Sequence, residues 1–335
     1  MSATSREFLM IVKESAFKTP KTSPVTWTTS TTYGLANADS YYQRLPGDNQ
    51  FTMRPRPVQV EIPYGGGVAV MAQRVSDKLA CQGQLTTNLC YSHAPFLLSW
   101  AGVNINTGQT APWTTTEPAG DLASCAIYHG IIEFDGTVKR RVYLGAKVDS
   151  WSISCSESST IATLTLQISA STPQGNQFDS SSDPSSSTFP APADDNFPVD
   201  LVEWIHCGGE VTIGGSSRSA ITELTISSNN TLARSYYNNR FLQYLRWMGR
   251  KTTVASRLQY NHSPDDRTTY EGLTSESVSI EFTNGTHSFT MNLNAQNVYD
   301  PFEDQLPLAD TYWQTNTSNN LWDPSAGSDF TLAFS

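Results

Sequence analysis

Charge is scarce in this chain. Only 16 % of its 335 residues are Asp, Glu, Lys or Arg, against about 25 % in an average globular protein. Disordered chains need high net charge and few aromatics, and aromatics here reach 11 %. Cations are scarcer still: 21 Lys and Arg face 31 Asp and Glu, a net charge of −10. Sequence-independent nucleic-acid binding needs basic patches that displace counterions, and the densest basic run is Lys139-Arg140-Arg141. Tight DNA binding is therefore disfavoured, whereas passive coexistence with DNA is not. The five cysteines, Cys81, Cys90, Cys125, Cys155 and Cys207, show no CxxC spacing. That excludes a zinc ribbon and argues against a secreted disulfide scaffold. No apolar run approaches the ~18 residues of a membrane span, and Lys13 and Glu14 cut short the one near the N-terminus, unlike a signal peptide. The expectation is a soluble product of a reducing compartment, with no membrane insertion.

What fills the gap is Ser, Thr, Asn and Gly with Tyr and Trp, a composition suited to β-structure. Val58, Val60 and Ile62 alternate, Pro63-Tyr64-Gly65-Gly66-Gly67 breaks the run, and Val68 to Met71 resume it. Two strands around a glycine-rich loop are expected. A phosphate-loop reading fails because the lysine, the spacing and a following helix are missing. A second break runs from Ser171 to Pro198, too rich in Ser, Pro and Asp to bury a core, and reads as a linker.

The parts on either side of this linker resemble each other. Trp151, Ile153 and Cys155 alternate as Val278, Ile280 and Phe282 do. The return segments 163–170 and 288–295 match as well, predicting one half-buried hairpin in each part. Upstream, Leu98-Ser-Trp-Ala-Gly102 parallels Leu245-Arg-Trp-Met-Gly249. The spacing of Tyr237, Phe241, Leu245 and Met248 predicts an amphipathic helix capped by Gly249, and the first copy predicts a shorter helix. A Thr-rich strand precedes each, at 79–87 and 220–227.

No catalytic constellation emerges. His93, His129, His206, His262 and His287 form no H-E-x-x-H. His129 with Glu133 reads as a surface pair, and His206-Cys207 point apart on an extended chain. Asp194-Asp195 and Asp265-Asp266 read as solvated turns. The expectation is no enzyme, no metal and no cofactor. Trp313, Trp322, Phe330 and Phe334 suit an arm that anchors on a neighbour better than a sugar platform.

The run from Asp48 through Ala72-Gln-Arg-Val-Ser-Asp-Lys78, and Lys147-Val-Asp-Ser-Trp-Ser-Ile-Ser-Cys-Ser-Glu157 with its return strand to Gln174, resemble tail tube proteins of long-tailed bacteriophages. The likeness covers most of residues 6–174 and is weaker beyond. It implies a mainly β fold: two tandem tail-tube-like β-sandwich or barrel domains, each with a flanking α-helix, plus extended N- and C-terminal arms. The expected layout is an arm with first strands at 1–57, a first domain at 58–170 and a linker at 171–198. A second domain at 199–295 and a C-terminal arm at 296–335 follow.

The resemblance further implies homotrimeric, pseudo-hexameric rings stacked head to tail in the virion tail, assembled in the host cytoplasm. Phage DNA would pass through without tight binding, along an acidic or neutral wall. The implied partners are further copies, the tape measure protein, and the tail terminator and distal tail proteins. Tyr64, Gly65, Gly66, Gly67, Trp313 and Trp322 are the candidate inter-ring or inter-subunit contacts. The alternatives are another virion β-protein, as a decoration or baseplate hub component, or a glycan-binding tail-fibre domain.

Overall fold

The computed structural model describes residues 6–20, 40–45, 50–63, 71–89, 94–105, 113–116, 120–132, 138–156, 159–171, 173–174, 211–217, 221–239, 241–259, 271–272, 274–283, 288–299, 303–305, 313–320 and 329–334. In the first part lie β1 (Arg6–Ala16), β2 (Thr19–Pro20), β3 (Ser40–Leu45), β4 (Gln50–Pro63), β5 (Met71–Asn88) and the helix α1 (Ala94–Trp100). β6 (Asn104–Ile105), β7 (Trp113–Thr116), β8 (Cys125–Ile132), β9 (Val138–Ser156), β10 (Ser159–Ala170) and β11 (Pro173–Gln174) follow. The second part holds β12 (Val211–Ile213), β13 (Ser216–Ser217), β14 (Ile221–Ser235), β15 (Tyr244–Gln259), β16 (Glu276–Thr283) and β17 (Ser288–Tyr299). β18 (Glu303–Gln305), β19 (Trp313–Asn320) and β20 (Phe330–Phe334) complete it.

These strands build two antiparallel sheets. The short sheet runs β3–β1–β8–β9–β11. The long sheet runs β4–β5–β10–β9–β14–β15–β19 and continues through β17 to β16. Strand β9 belongs to both. Its residues 138–146 pair with β8 and its residues 147–156 with β10. The crossing lies at Gly145, whose φ of 65° suits glycine and whose N–H donates to Glu14 Oε1 at 2.9 Å. A Cβ there would meet the Phe17 ring at 2.7 Å.

The core fills the space between the sheets. Leu9, Ile11, Ile127 and Tyr143 of the short sheet meet Phe51, Leu85, Leu166 and Trp151 of the long one, with Phe96, Leu97 and Trp100 of α1 beside them. Phe8, Met10 and Val12 point to the opposite face of β1 and are buried too. β1 therefore has the unbroken apolar run of a strand covered on both sides. Residues 6–16, in the segment expected to hold an arm and first strands, are a central core strand.

The two predicted hairpins form in the predicted phase. Trp151 faces Leu166 and Ile153 faces Leu164; Val278 faces Leu293 and Ile280 faces Met291. Strands β4 and β5 flank the glycine-rich loop as expected. The first helix also forms, and ends in a Schellman motif: Val103 N–H donates to Leu98 O at 2.9 Å, Gly102 N–H to Ser99 O at 3.2 Å, and Gly102 has φ 90°.

The helix expected over Tyr237–Met248 does not form, which corrects that reading. Tyr237 and Asn238 take left-handed φ values of 37° and 57°, and the chain turns back as a hairpin in which Ser235 faces Tyr244. Of the four residues in the supposed apolar stripe only Leu245 is buried; Tyr237, Phe241 and Met248 are exposed by 75, 44 and 62 %. Strand pairing along 244–259 overrode a helical spacing that arose by coincidence. Gly249 accordingly does not cap a helix. With Met248 it forms a bulge, between the pairs Asn230–Arg250 and Leu232–Trp247.

The C-terminal arm needs correction as well. β19 and β20 belong to the long sheet, and Phe330 is buried in this chain's own core, edge-on to Trp151 at 5.9 Å between ring centroids.

Candidate assembly surfaces

Side chains on a strand alternate between faces, so the pairing register shows what each face of the long sheet presents. One row across seven strands reads Gln50, Thr86, Thr165, Ser152, Ser227, Thr253, Asn319. The next reads Thr163, Ser154, Thr225, Ala255, Thr317. These residues are half-buried or exposed. Behind them, facing the core, lie Leu164, Ile153, Ile226 and Val254. The sheet has an oily side and a hydroxyl-rich side, and both continue from the first half into the second through the β9–β14 pairing.

The polar side is tied together across strands. Ser227 and Thr253 share a hydrogen bond of 2.7 Å, Gln84 Nε2 donates to Thr86 Oγ1 at 2.8 Å, and Gln167 Nε2 donates to Gln84 Oε1 at 3.0 Å. At its margin a cavity of about 390 Å³ is lined by Thr52, Arg54, Gln82, Gln84, Asp149 and Gln167, among others. Asp149 accepts from Ser169 Oγ and, at 3.1 Å, from Arg234 Nη2. Burial pushes its carboxyl above the usual range, against the pull of those two donors.

Two polar joints fasten the halves. In the first, Lys147 is buried and donates to Asp121 Oδ2 at 2.8 Å and to Leu245 O at 2.7 Å. Asp121 also accepts from Tyr244 OH at 2.7 Å and from Trp247 N–H at 2.9 Å. Burial lowers the Lys147 pKa, and the nearby carboxylates only partly restore it. For Asp121, burial raises the pKa but the donors from Lys147, Trp247 and Tyr244 outweigh it, leaving the carboxyl below its ordinary value. Phe17 stacks edge-on to Tyr244 at 5.2 Å, and Lys18 Nζ donates to Leu242 O at 2.6 Å.

The second joint closes the end of α1. A helix leaves its last carbonyls without intrahelical donors. Here the second half supplies them: Asn230 Nδ2 donates to Ala101 O at 2.7 Å, and Arg250 Nη1 to Gly102 O at 3.1 Å. Arg250 also makes a two-pronged pair with Asp329, at 2.5 and 3.2 Å, and lies 4.6 Å from the Phe330 ring centroid. Thr252 Oγ1 donates to Asp329 at 2.9 Å. Nothing in the sequence pattern marked these residues, because the register that brings them together spans 77 to 148 positions.

Of the residues singled out from the sequence, Trp313 lies on β19, its backbone opposite Gln259 and Gln305. Tyr64, Gly65, Gly66, Gly67 and Trp322 lie outside the described residues, as do His93, Glu133, His206, Cys207, His262, His287, the two aspartate pairs and nearly all of the linker. His129 contacts Glu7 of β1. Burial holds its pKa below the usual imidazole value, with Glu7 opposing. Among the described residues no three His, Cys, Asp or Glu side chains converge as a metal site, and no helix is long and apolar enough to cross a membrane. The Cys81 thiol is pushed up by burial to about 12, far from the range of a nucleophile at neutral pH.

No curated protein matches the sequence at a significant level. The family model described as phage tail tube protein matches residues 4–311.

Proposed function

The chain belongs to the phage tail tube protein family, and from that premise we propose that three copies close a ring, that rings stack head to tail into the tube, and that DNA leaves along the polar face of the long sheet. The observation that carries this reading is the pairing of β9 with β14 over Glu223–Asn229, which makes one sheet of the two halves.

The strand order supports it. The first half contributes β4–β5–β10–β9, and the second β14–β15–β17–β16 with β19 interposed. The last strand of the first unit therefore meets the first strand of the second. The edge proposed to meet the next copy is β4, which pairs only with β5 among the described residues; at the far end of the second unit β16 already pairs with β12 over Val278–Ile280.

Dimensions favour three copies. The nine strands from β4 to β16 at ~4.8 Å give about 43 Å per chain, so three chains close a perimeter of about 130 Å and a diameter of about 41 Å between backbones. Side chains reduce the clear width to roughly 31 Å, whereas two chains would leave only about 17 Å, too narrow for a duplex. Closed rotation within a ring and translation between rings is the symmetry of such a filament.

The loop Tyr64–Gly67 and the segment carrying Trp313 and Trp322 are proposed as ring and inter-ring contacts. The tape measure, tail terminator and distal tail proteins are the proposed partners inside and at the ends of the tube. The protein acts in the virion tail after assembly in the host cytoplasm, as a conduit rather than an enzyme. Electron microscopy of the assembled protein tests this. Stacked three-copy rings with an open centre are expected. A compact monomer at every concentration, or trimers that never stack, would overturn the tube reading, and the latter result would favour a decoration or hub component.

A further inference from the structure

We infer that the tip of the β14–β15 hairpin is a docking element that seats one copy on a second copy in the next ring, and that its seat is the acidic opposite end of the long sheet. The inference rests on the stacked-ring reading above and names the surfaces that meet.

The hairpin stands out first by charge. Between Glu223 and Asp265 the sequence has six cations, Arg234, Arg240, Arg246, Arg250, Lys251 and Arg257, and no Asp or Glu. Over residues 268–335 the balance reverses, with nine carboxylates and neither Lys nor Arg. Part of the positive charge is spent within the chain: Arg234 on Asp149, Arg250 on Asp329 and Arg257 on Glu223. Arg246 and Lys251 are exposed and form no ion pair among the described residues, while Arg240 lies outside them. Exposed Lys78 adds a further cation, its Nζ 5.1 Å from the Tyr236 ring centroid.

The tip also stands out by its apolar side chains. Tyr237, Phe241 and Met248 are the large hydrophobic residues left exposed among the described residues, and all three belong to this hairpin. Their backbone is nonetheless fixed. Asn239 N–H donates to Tyr236 O at 2.8 Å, and Leu242 N–H to Leu79 O of β5 at 3.1 Å. Tyr237 is a poor choice for this turn on local grounds, because its φ of 37° suits Asn or Gly. It adds nothing to the chain's own core either. Aromatic, Met and Arg side chains presented on a fixed backbone are the composition of a protein–protein contact.

Strand register places the seat. From Tyr244 at the tip to Arg257, β15 runs about 40 Å at ~3.3 Å per residue. At that end Arg257 faces Thr315, Thr315 faces Glu303 of β18, and Asp304 follows opposite Gln314. Glu223 faces Arg257 from β14. Three acidic residues and one cation thus share this end, and Trp313 lies beside them opposite Gln305. Opposite charge at the two ends of one sheet favours copies stacked in a single direction over head-to-head pairs, which would bring like charges together. A DNA duplex is the poorer occupant, since its phosphates match the cations but leave Tyr237, Phe241 and Met248 without apolar surface to cover them.

The experiment uses the full chain, read by sedimentation velocity and electron microscopy. Wild type is expected to form stacked rings. R246E/K251E should close rings that stack roughly 100-fold more weakly, and adding E303K/D304K should restore the stack. Y237S/F241S should also weaken stacking, with little change in the thermal midpoint because both side chains are exposed. If the charge variant does not fold, Y237C/D304C decides alone. Its oxidised tubes should give a ladder of linked chains on a non-reducing gel, absent from either single variant. A wild type that never stacks would remove the stacked-ring reading itself. Wild-type tubes together with full-strength stacking in R246E/K251E, or with no ladder from Y237C/D304C, would remove only the docking element. Loss of ring closure in place of stacking would move the tip to a contact within the ring and overturn the inference. Variants that stack normally but lose retention of a fluorescent DNA duplex would assign the patch to nucleic acid and overturn it equally.

Discussion

Leu98-Ser-Trp-Ala-Gly102 and Leu245-Arg-Trp-Met-Gly249 are the same pattern placed in two halves of one chain, and they fold differently. The first ends α1, its glycine in the left-handed position beyond the last helical turn. The second runs along β15, its glycine in a bulge at φ 148°. The cores behind them differ too. Row for row, Phe51, Leu85, Leu166 and Trp151 in the first half give way to Ser228 and Thr252 in the second. The first half is held mainly by apolar burial. The second is anchored at this level by a buried polar network, part of which serves to finish the first half's helix. A repeated motif therefore reports common spacing and leaves conformation to the partners that surround it.

The sharpest way to break this contrast is Asp329→Ala. It removes the carboxylate that makes the two-pronged pair with the Arg250 guanidinium, only 6 % exposed, and a stability loss of about 3–5 kcal/mol is expected. Urea unfolding of the variant measures it. Replacing both Arg250 and Asp329 by apolar residues should recover most of the loss. The equivalent apolar level of the first half has no such pair to rescue.

A smaller effect is expected from Asp121→Ala, which leaves the buried Lys147 with only Leu245 O among the oxygen acceptors described above. Because Asp121 is 30 % exposed on its side chain, the loss should be about 2 kcal/mol, read as a lowered thermal midpoint. Next comes the glycine pair itself. Gly102→Ala must adopt φ 90° with its Cβ 2.5 Å from Leu122 Cδ2, whereas Gly249→Ala meets open space. About 2 kcal/mol against about 1 kcal/mol is expected, by denaturant titration of the two variants in parallel. Equal costs would mean that the two glycines serve the same purpose after all.

The smallest effect concerns acid. His129 is held neutral by burial, while the unfolded chain gains a proton near pH 6.5. Unfolding therefore takes up a proton in this range, and stability falls as pH drops from about 6.5 towards the folded-state value. Comparing wild type with His129→Gln between about pH 7 and 5 should show a slope worth less than about 1 kcal/mol that the variant lacks.

Much of the fold was legible. Alternation at Trp151, Ile153, Val278 and Ile280 marked both hairpins in correct phase, because a period of two is a local property of a half-buried strand. The broken run around residues 63–67 marked the β4–β5 pair for the same reason. The second helix was misread because Tyr237, Phe241, Leu245 and Met248 satisfy a helical period by chance, while the pairing that fixes their backbone lies on β14 and β19. Arg250, Asp329, Asn230 and Lys147 were illegible for a related reason. Nothing about an isolated arginine announces a partner 79 positions away. The family likeness was carried by the first half, where the local pattern is strongest. The polar rows became visible only when register lined up short serine and threonine runs from distant strands.

Strand β9 has a mechanical meaning beyond its place in the fold. Its 19 residues are a single covalent cable shared by both layers, so axial tension on either layer reaches the other along the backbone and does not depend on side-chain packing between them. Its flanking ladders on β8, β10 and β14 are loaded in shear, where many bonds resist together. A tube wall assembled from such units should bend elastically under load before its layers peel apart.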